Sequence, residues 1–371
     1  MPRQIANAAR LRQSWARVTS AGVLLAGVAI LAACAAGPKP APEIVWPLPP
    51  ETPRIKFVRS VSSASEVRQE SWASRIKSAV IGEDPAPSLG KPYAVHVDRK
   101  GRVLVADSAW RKVLVFDEGG HDFFFVGLDG PGLLMNPRGV TTDADGNILV
   151  TDVQQNRVVV YDASGQFLLA MGLRGQLDKP VGIAINDALK RIYVVSTGSG
   201  GTQTHKVTVF DPKGAVLFEF GTRGVEDGQF NFPTNITVDR VGKVYVMDSF
   251  NFRVQVFDAD GRFLSKFGSI GNGFGQFSKP KGIGVDSEGH IYVSDAAFNN
   301  VQIFDPAGRL LLFFGGFGNH PGEFWLPAGL SVDDHDRIYV ADQYNKRINV
   351  YQYLPESSGG ASRPDNVGPV N

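Results

Sequence analysis

Residues 233–267 read PTNITVDRVGKVYVMDSFNFRVQVFDADGRFLSKF. Four short runs stand out in this stretch: Ile236-Thr237-Val238, Lys243-Val244-Tyr245-Val246-Met247, Arg253-Val254-Gln255-Val256-Phe257 and Arg262-Phe263-Leu264-Ser265-Lys266-Phe267. β-branched and aromatic residues alternate within them, and turn formers separate them at Asp239 to Gly242, Ser249 to Phe252 and Asp258 to Gly261. A period of two over a few residues, punctuated in this way, is the pattern of short antiparallel strands. Asp260-Gly261 is in addition a strong hairpin signal.

The stretch recurs. Copies begin at Pro92, Pro137, Pro180, Pro233, Pro280 and Pro327, at spacings of 45, 43, 53, 47 and 47 residues. Four strands per unit, repeated six times, predict an all-β six-bladed β-propeller of four-stranded antiparallel blades. The sixth unit stops after its third strand, Arg347-Ile348-Asn349-Val350-Tyr351, and the alternating segment Arg54 to Val61 is the candidate for the missing outer strand. Joining the two ends of the chain in one blade hides edge groups that would otherwise stay unpaired. Ser63 and Glu66 have capping-box spacing, and Val67, Trp72, Ile76 and Val80 follow, so one short helix is expected over 65–81. The Ser/Gly/Pro-rich tail 355–371 is expected to be disordered.

Three units carry a Gly-rich element before the next proline: Gly221…Gly224…Gly228-Gln229-Phe230…Pro233, Gly268…Gly271…Gly275-Gln276-Phe277…Pro280 and Gly318…Gly322-Glu323-Phe324…Pro327. An Asp-x-x-Asn-x-Arg element recurs at Asp248 to Arg253 and Asp342 to Arg347, and Asp152 to Arg157 keeps its Asp and Arg with the Asn one place later. In these motifs the chain resembles the NHL repeats of bacterial propeller lipoproteins, over residues 54–354. The resemblance implies a fold and leaves function open, since one propeller hosts binding modules and enzymes alike.

The N-terminus reads as an export signal. Residues 1–17 hold Arg3, Arg10, Arg12 and Arg17 and no acid, and an apolar run follows from Val18 to Ala33. Its end, Leu31-Ala32-Ala33-Cys34, resembles a bacterial lipobox, which implies a signal peptide over 1–33 and a lipid on Cys34, the chain's single Cys. A plain cleaved signal or an N-terminal anchor with an incidental Cys is the alternative. The prolines of 34–53 then suggest an extended tether between membrane and domain. Ala35 stands where an Asp would mark inner-membrane retention, so the resemblance implies the outer membrane in a Gram-negative cell. Removing the four arginines of 1–33 leaves 34 basic against 37 acidic residues, a net charge of −3. That balance offers no electrostatic footprint for nucleic acid.

Strand order places the candidate site. The Gly-rich loops between blades, the Pro-x-Gly starts and the Asp-x-x-Asn-x-Arg loops open on one face of the ring; the other face holds Asp/Gly turns such as Asp143 to Gly146. Residues on the first face that depart from the repeat are the candidate binding residues: Tyr93, Trp110, Arg138, Arg174, Lys281, Phe298, His320, Trp325 and Tyr344. Aromatic and Arg side chains are the types enriched at binding hot spots. Phe230, Phe277 and Phe324 are expected to pack between blades, and Arg157, Arg253 and Arg347 to pair with Asp and fix loops. The loop Ser196 to His205 of the third unit lacks the Asp and Asn and is either a functional element or a tolerated insertion.

Catalytic signals are thin. No His pair has the spacing of a zinc site, no Ser has a motif-defined base, and no cofactor is implied. His96 alone stands out. It aligns with Thr141, Ala184, Thr237, Gly284 and Ser331 in the innermost strands, where it is a weak candidate for an axial metal ligand. The sequence thus reads as a lipid-anchored envelope propeller that binds a protein or another extracytoplasmic ligand. The rival reading is a metal-dependent propeller enzyme of lyase or lactone-hydrolase type.

Overall fold

Each starting proline opens an innermost strand: Pro92–Val97, Pro137–Thr142, Pro180–Asn186, Pro233–Val238, Pro280–Val285 and Pro327–Val332 in the computed structural model. The structure describes residues 43–67, 86–172, 175–199 and 201–355. Successive strands of a unit pair antiparallel from the axis outward. In the fourth blade Pro233–Val238 pairs with Val244–Asp248, which pairs with Arg253–Phe257, which pairs with Phe263–Phe267. Five other sheets repeat this order, giving six blades.

The burial follows from the stacking of blades. The two middle strands of the fourth blade are buried along their whole length, whereas Phe263–Phe267 is largely exposed. A strand covered on both faces has no polar side to show, so its sequence turns nearly continuously apolar. The core therefore lies between blades and not within one. Leu104, Ala106, Val113 and Val115 of the first blade meet Val140, Ile148, Val150 and Val159 of the second, all buried.

The Pro-x-Gly start has a steric cause. A Cβ on Gly139 would lie 2.4 Å from the Val181 carbonyl oxygen, and one on Gly282 would lie 2.5 Å from that of Ala328. Innermost strands of neighbouring blades approach too closely there for any side chain. Farther out, Phe230, Phe277 and Phe324 are fully buried. Phe230 packs 5.6 Å from Phe257, and Phe277 the same distance from Phe304. These are the wedges that the repeat predicted.

Ring closure also follows the sequence. Ile55–Val61 is the outer strand of the sixth blade and pairs antiparallel with Arg347–Tyr353, from Ile55 opposite Tyr353 to Val61 opposite Ile348. The Ser60 hydroxyl donates to Asn349 Oδ1 at 2.7 Å. Part of the segment 34–53, where a tether is expected, is instead paired strand. Val45–Trp46 adds a fifth strand, pairing with Ile55 and Lys56, and the Trp46 ring lies 5.8 Å from both Phe314 and Tyr351. Of the helix expected over 65–81, only its start is described. Ala64–Glu66 is a single 3-10 turn in which Ser63 and Glu66 do form the capping box, and the remainder lies outside the described residues. Cys34, the signal segment 1–33 and residues 356–371 lie outside them too. Among the described residues no helix is long and apolar enough to cross a membrane.

Candidate functional site

The face carrying the candidate residues is organised by the Asp that ends the second strand of five of the six blades. Asp107 accepts hydrogen bonds from the backbone N–H groups of Gly90 at 2.7 Å, Lys91 at 2.9 Å, Ala109 at 2.9 Å and Trp110 at 3.1 Å. One carboxylate thus ties the loop entering the blade to the loop joining its middle strands. Asp152, Asp295 and Asp342 make the equivalent bonds to Met135, Ser278 and Trp325. Arg253 Nε donates to Asp248 at 2.9 Å and Arg347 Nε to Asp342 at 3.1 Å, as the repeat implied. Arg157 differs: it donates instead to the carbonyls of Pro131 and Leu133.

The third blade has Ser196 where the others have Asp, and Asp178 takes over the role. It accepts from Ser199 N–H and Oγ, Thr202 Oγ1 and Thr204 Oγ1 at 2.6 to 3.0 Å. Burial alone would push its carboxyl up, but these hydrogen bonds outweigh it and hold the group down at about 2. The hydroxyls of loop 196–205 are therefore spent on the loop itself, which favours the structural of its two readings.

Three candidates converge at the axis. Tyr93, Arg138 and Lys281 each follow a starting proline, which sets them around the mouth of the axial channel. The Arg138 guanidinium sits 4.3 Å over the Tyr93 ring, and the Lys281 ammonium lies 5.8 Å from the same ring. Burial, and then the positive charges of Lys279, Arg138 and Lys91, push Lys281 down to about 8. Lys91 and Lys279, each the residue before a starting proline, were missed by the sequence reading.

A second group lies on the sixth blade. Trp325 stacks on Tyr344 with centroids 4.6 Å apart and planes 23° apart, and Phe317 meets Trp325 edge-on at 5.5 Å. Trp325, Tyr344 and Phe317 are 39%, 59% and 66% exposed, an apolar shelf open to solvent. On the fourth blade Phe232, also preceding a proline, lies 4.7 Å from the exposed Phe250.

Of the remaining candidates Trp110 is 44% exposed, with its polar edge tied down. The Trp110 indole N–H donates to the Ser88 carbonyl at 2.8 Å, and the ring packs against Phe125 at 5.8 Å. Phe298 is half-buried. His320 is exposed, while its backbone binds Glu323 and Arg347. Arg174 lies outside the described residues.

Along the axis runs a cavity of about 190 Å³ lined by aliphatic residues with His96, Thr141, Asn235, Thr237 and Ser331. Burial pushes the His96 imidazole down to about 4 against the pull of Asp98 and Asp334, and its Nε2 is 3.0 Å from Thr142 Oγ1. His96 is bonded to a hydroxyl, and it also lines the carboxylate-bearing cavity at the far end of the axis. Among the described residues no three His, Cys, Asp or Glu side chains are grouped to hold one. On the opposite face Asp98, Asp143, Asp239, Asp286 and Asp333 close turns. Asp98, for example, accepts from the N–H groups of Lys100 and Arg102 at 2.9 Å.

The fold is a six-bladed β-propeller of NHL-type repeats. A six-bladed beta-propeller family model matches residues 226–297, and the NHL repeat model matches residues 324–351. Comparison with curated proteins finds no match. Among solved structures, a catalytically inactive virginiamycin B lyase from Staphylococcus aureus with quinupristin is similar, at 13% identity and a TM-score of 0.52. That likeness covers 71% of this chain and 95% of the lyase. An auxiliary nutrient binding protein from Bacteroides thetaiotaomicron is similar at 16% identity and a TM-score of 0.55, covering 72% of this chain and 70% of that one. A second protein of that organism, of unknown function, shares 18% identity at a TM-score of 0.56, covering 81% and 76%. At these identities the likeness is one of fold.

Proposed function

We propose that this protein is a lipid-anchored binding module of the cell envelope. It is held to the membrane through Cys34 and engages a partner protein or other extracytoplasmic ligand with its loop face. The observation that carries the reading is the asymmetry of the two faces. The loop face exposes the aromatic side chains Phe317, Trp325, Tyr344 and Phe250 and a cationic mouth with no ion-pair partner among the described residues, whereas the opposite face is built of Asp-anchored turns whose exposed apolar side chains, Leu189 and Val241, are aliphatic. Aromatic and Arg side chains supply apolar contact and directional bonds together, which is what binding hot spots require.

The test has two arms. Cys34→Ser should shift the protein from the membrane fraction to the soluble fraction or leave it unprocessed; an unlipidated, soluble wild type would overturn the anchor. Capture of envelope partners from crosslinked membranes should fail for the Trp325→Ala/Tyr344→Ala variant. Capture should persist when the Asp143–Gly146 turn is altered, and the reverse pattern would move the site to the other face.

A further inference from the structure

We propose that the loop-face mouth of the axis is an oxyanion site, where Arg138 and Lys281, gathered over Tyr93, bind a phosphate or carboxylate group carried by the ligand. This rests on the loop-face reading above and names the chemistry of what that face takes.

The case begins with charge that has no partner. Two arginines of this face are neutralised by an ion pair, Arg253 by Asp248 and Arg347 by Asp342, and Arg157 spends its guanidinium on the carbonyls of Pro131 and Leu133. Among the described residues no carboxylate comes within ion-pairing distance of Arg138 or Lys281. Lys91 and Lys279 add two more positive charges beside them. The acids beneath, Asp107 and Asp295, point their oxygens at backbone N–H groups, including those of Lys91 and Lys279. Like charges gathered in a partly desolvated place cost free energy that a bound anion would relieve, and the depressed Lys281 ammonium registers that cost.

Geometry makes the cluster usable. The Tyr93 ring holds both cations by its π face, which fixes them without consuming their N–H donors. A guanidinium fork and an ammonium gathered at one mouth suit an oxyanion, the fork being able to take two oxygens and the ammonium a third. The axis is also polarised. A cavity of about 280 Å³ at its far end is lined by Asp98, Asp143, Asp187, Asp333 and Asp334, with Arg99 held in an ion pair by Asp187. An anion is therefore attracted to the loop-face mouth and repelled from the other.

The test is calorimetric titration of the full chain at low salt with inorganic pyrophosphate and, separately, with succinate, each at pH 6.5 and pH 8.5. At least one anion should bind, and Arg138→Gln and Lys281→Gln should each weaken it tenfold or more, the loss expected for one charged hydrogen bond. The exposed Lys100→Gln, on the opposite face, removes the same charge and should leave binding unchanged. For succinate, whose two carboxyls are already ionised at pH 8.5, the anion restores the Lys281 proton, so binding at that pH should take up protons, detected as heats that depend on the buffer's ionisation enthalpy. That uptake should vanish at pH 6.5 and in Lys281→Gln. Which anion binds distinguishes a phosphate from a carboxylate source. No binding of either, or equal weakening by Lys100→Gln, overturns the proposal. If the anions fail while Trp325→Ala/Tyr344→Ala still abolishes partner capture, the oxyanion site falls and the loop-face reading stands.

Discussion

The Trp46 ring lies 5.8 Å from that of Tyr351, edge to face, in the seam where the first and last strands of the propeller meet. Tyr351 is fully buried and also sits 4.7 Å from Phe314 of the fifth blade. The N-terminal segment thus caps the last blade and helps pack it against its neighbour. Trp46→Ala is expected to destabilise the protein by ~2 kcal/mol, below the ~3–5 kcal/mol of a fully buried Trp because this one is half-buried. Deleting residues 44–61 removes the outer strand altogether and should abolish the cooperative transition in a calorimetric scan. An unchanged Tm in Trp46→Ala would mean that residues 44–53 act only as a spacer.

Gly268 and Phe277 illustrate how the Gly-rich loops serve packing. Gly268 has φ +92°, and a Cβ there would lie 2.4 Å from the Phe277 ring. Gly268→Ala combines left-handed backbone strain with a steric clash, so it should cost more than ~1 kcal/mol in urea unfolding. Phe277→Ala should cost ~3–5 kcal/mol by opening a cavity between blades. Because the two residues touch, the double variant should cost less than the two changes taken separately. Full additivity would show that they do not share one site.

His96 sets a pH dependence. Its imidazole titrates near 6.5 when unfolded and near 4 in the folded protein, so between those values the unfolded chain binds the extra proton. The folded state therefore keeps its full stability above about pH 6.5, loses some of it as pH falls toward about 4, and loses no more from this group below that. The loss is on the order of 3 kcal/mol. Urea titrations from pH 7 to 4 should show this slope in the wild type and a flatter one in His96→Gln. Equal slopes would place the imidazole in solvent.

Sequence and structure agree where a signal repeats. Six copies of one pattern define the blades and the shared face, because repetition brings out strands whose own sequence is nearly continuously apolar, and the closing strand Ile55–Val61 shows its alternation in a single copy. Val45–Trp46 is too short to show a period and lies among prolines, so nothing local sets it apart from a tether. Tyr93, Arg138 and Lys281 were legible because each follows a repeat-defining proline, whereas Lys91, Lys279 and Phe232 precede it, at the end of a loop whose conformation no local pattern sets. That the Trp110 indole N–H is already bonded was not legible, because its acceptor, Ser88, lies 22 residues away and only the fold brings them together. The loop from Ser196 looked functional because Asp178, which absorbs its hydroxyls, lies before the innermost strand of the same blade.

The use of one face for binding is tested most directly by photo-crosslinking in native membranes, with a photoreactive amino acid placed once at Tyr344 and once at Ala144. Both positions lie in loops, on opposite faces of the ring. If Trp325 and Tyr344 are central, truncating either should also weaken the captured complex about thirty-fold. Discrete adducts from position 344 and none from position 144 are the predicted result. Adducts from 144 alone would contradict the assignment of the loop face as the binding face.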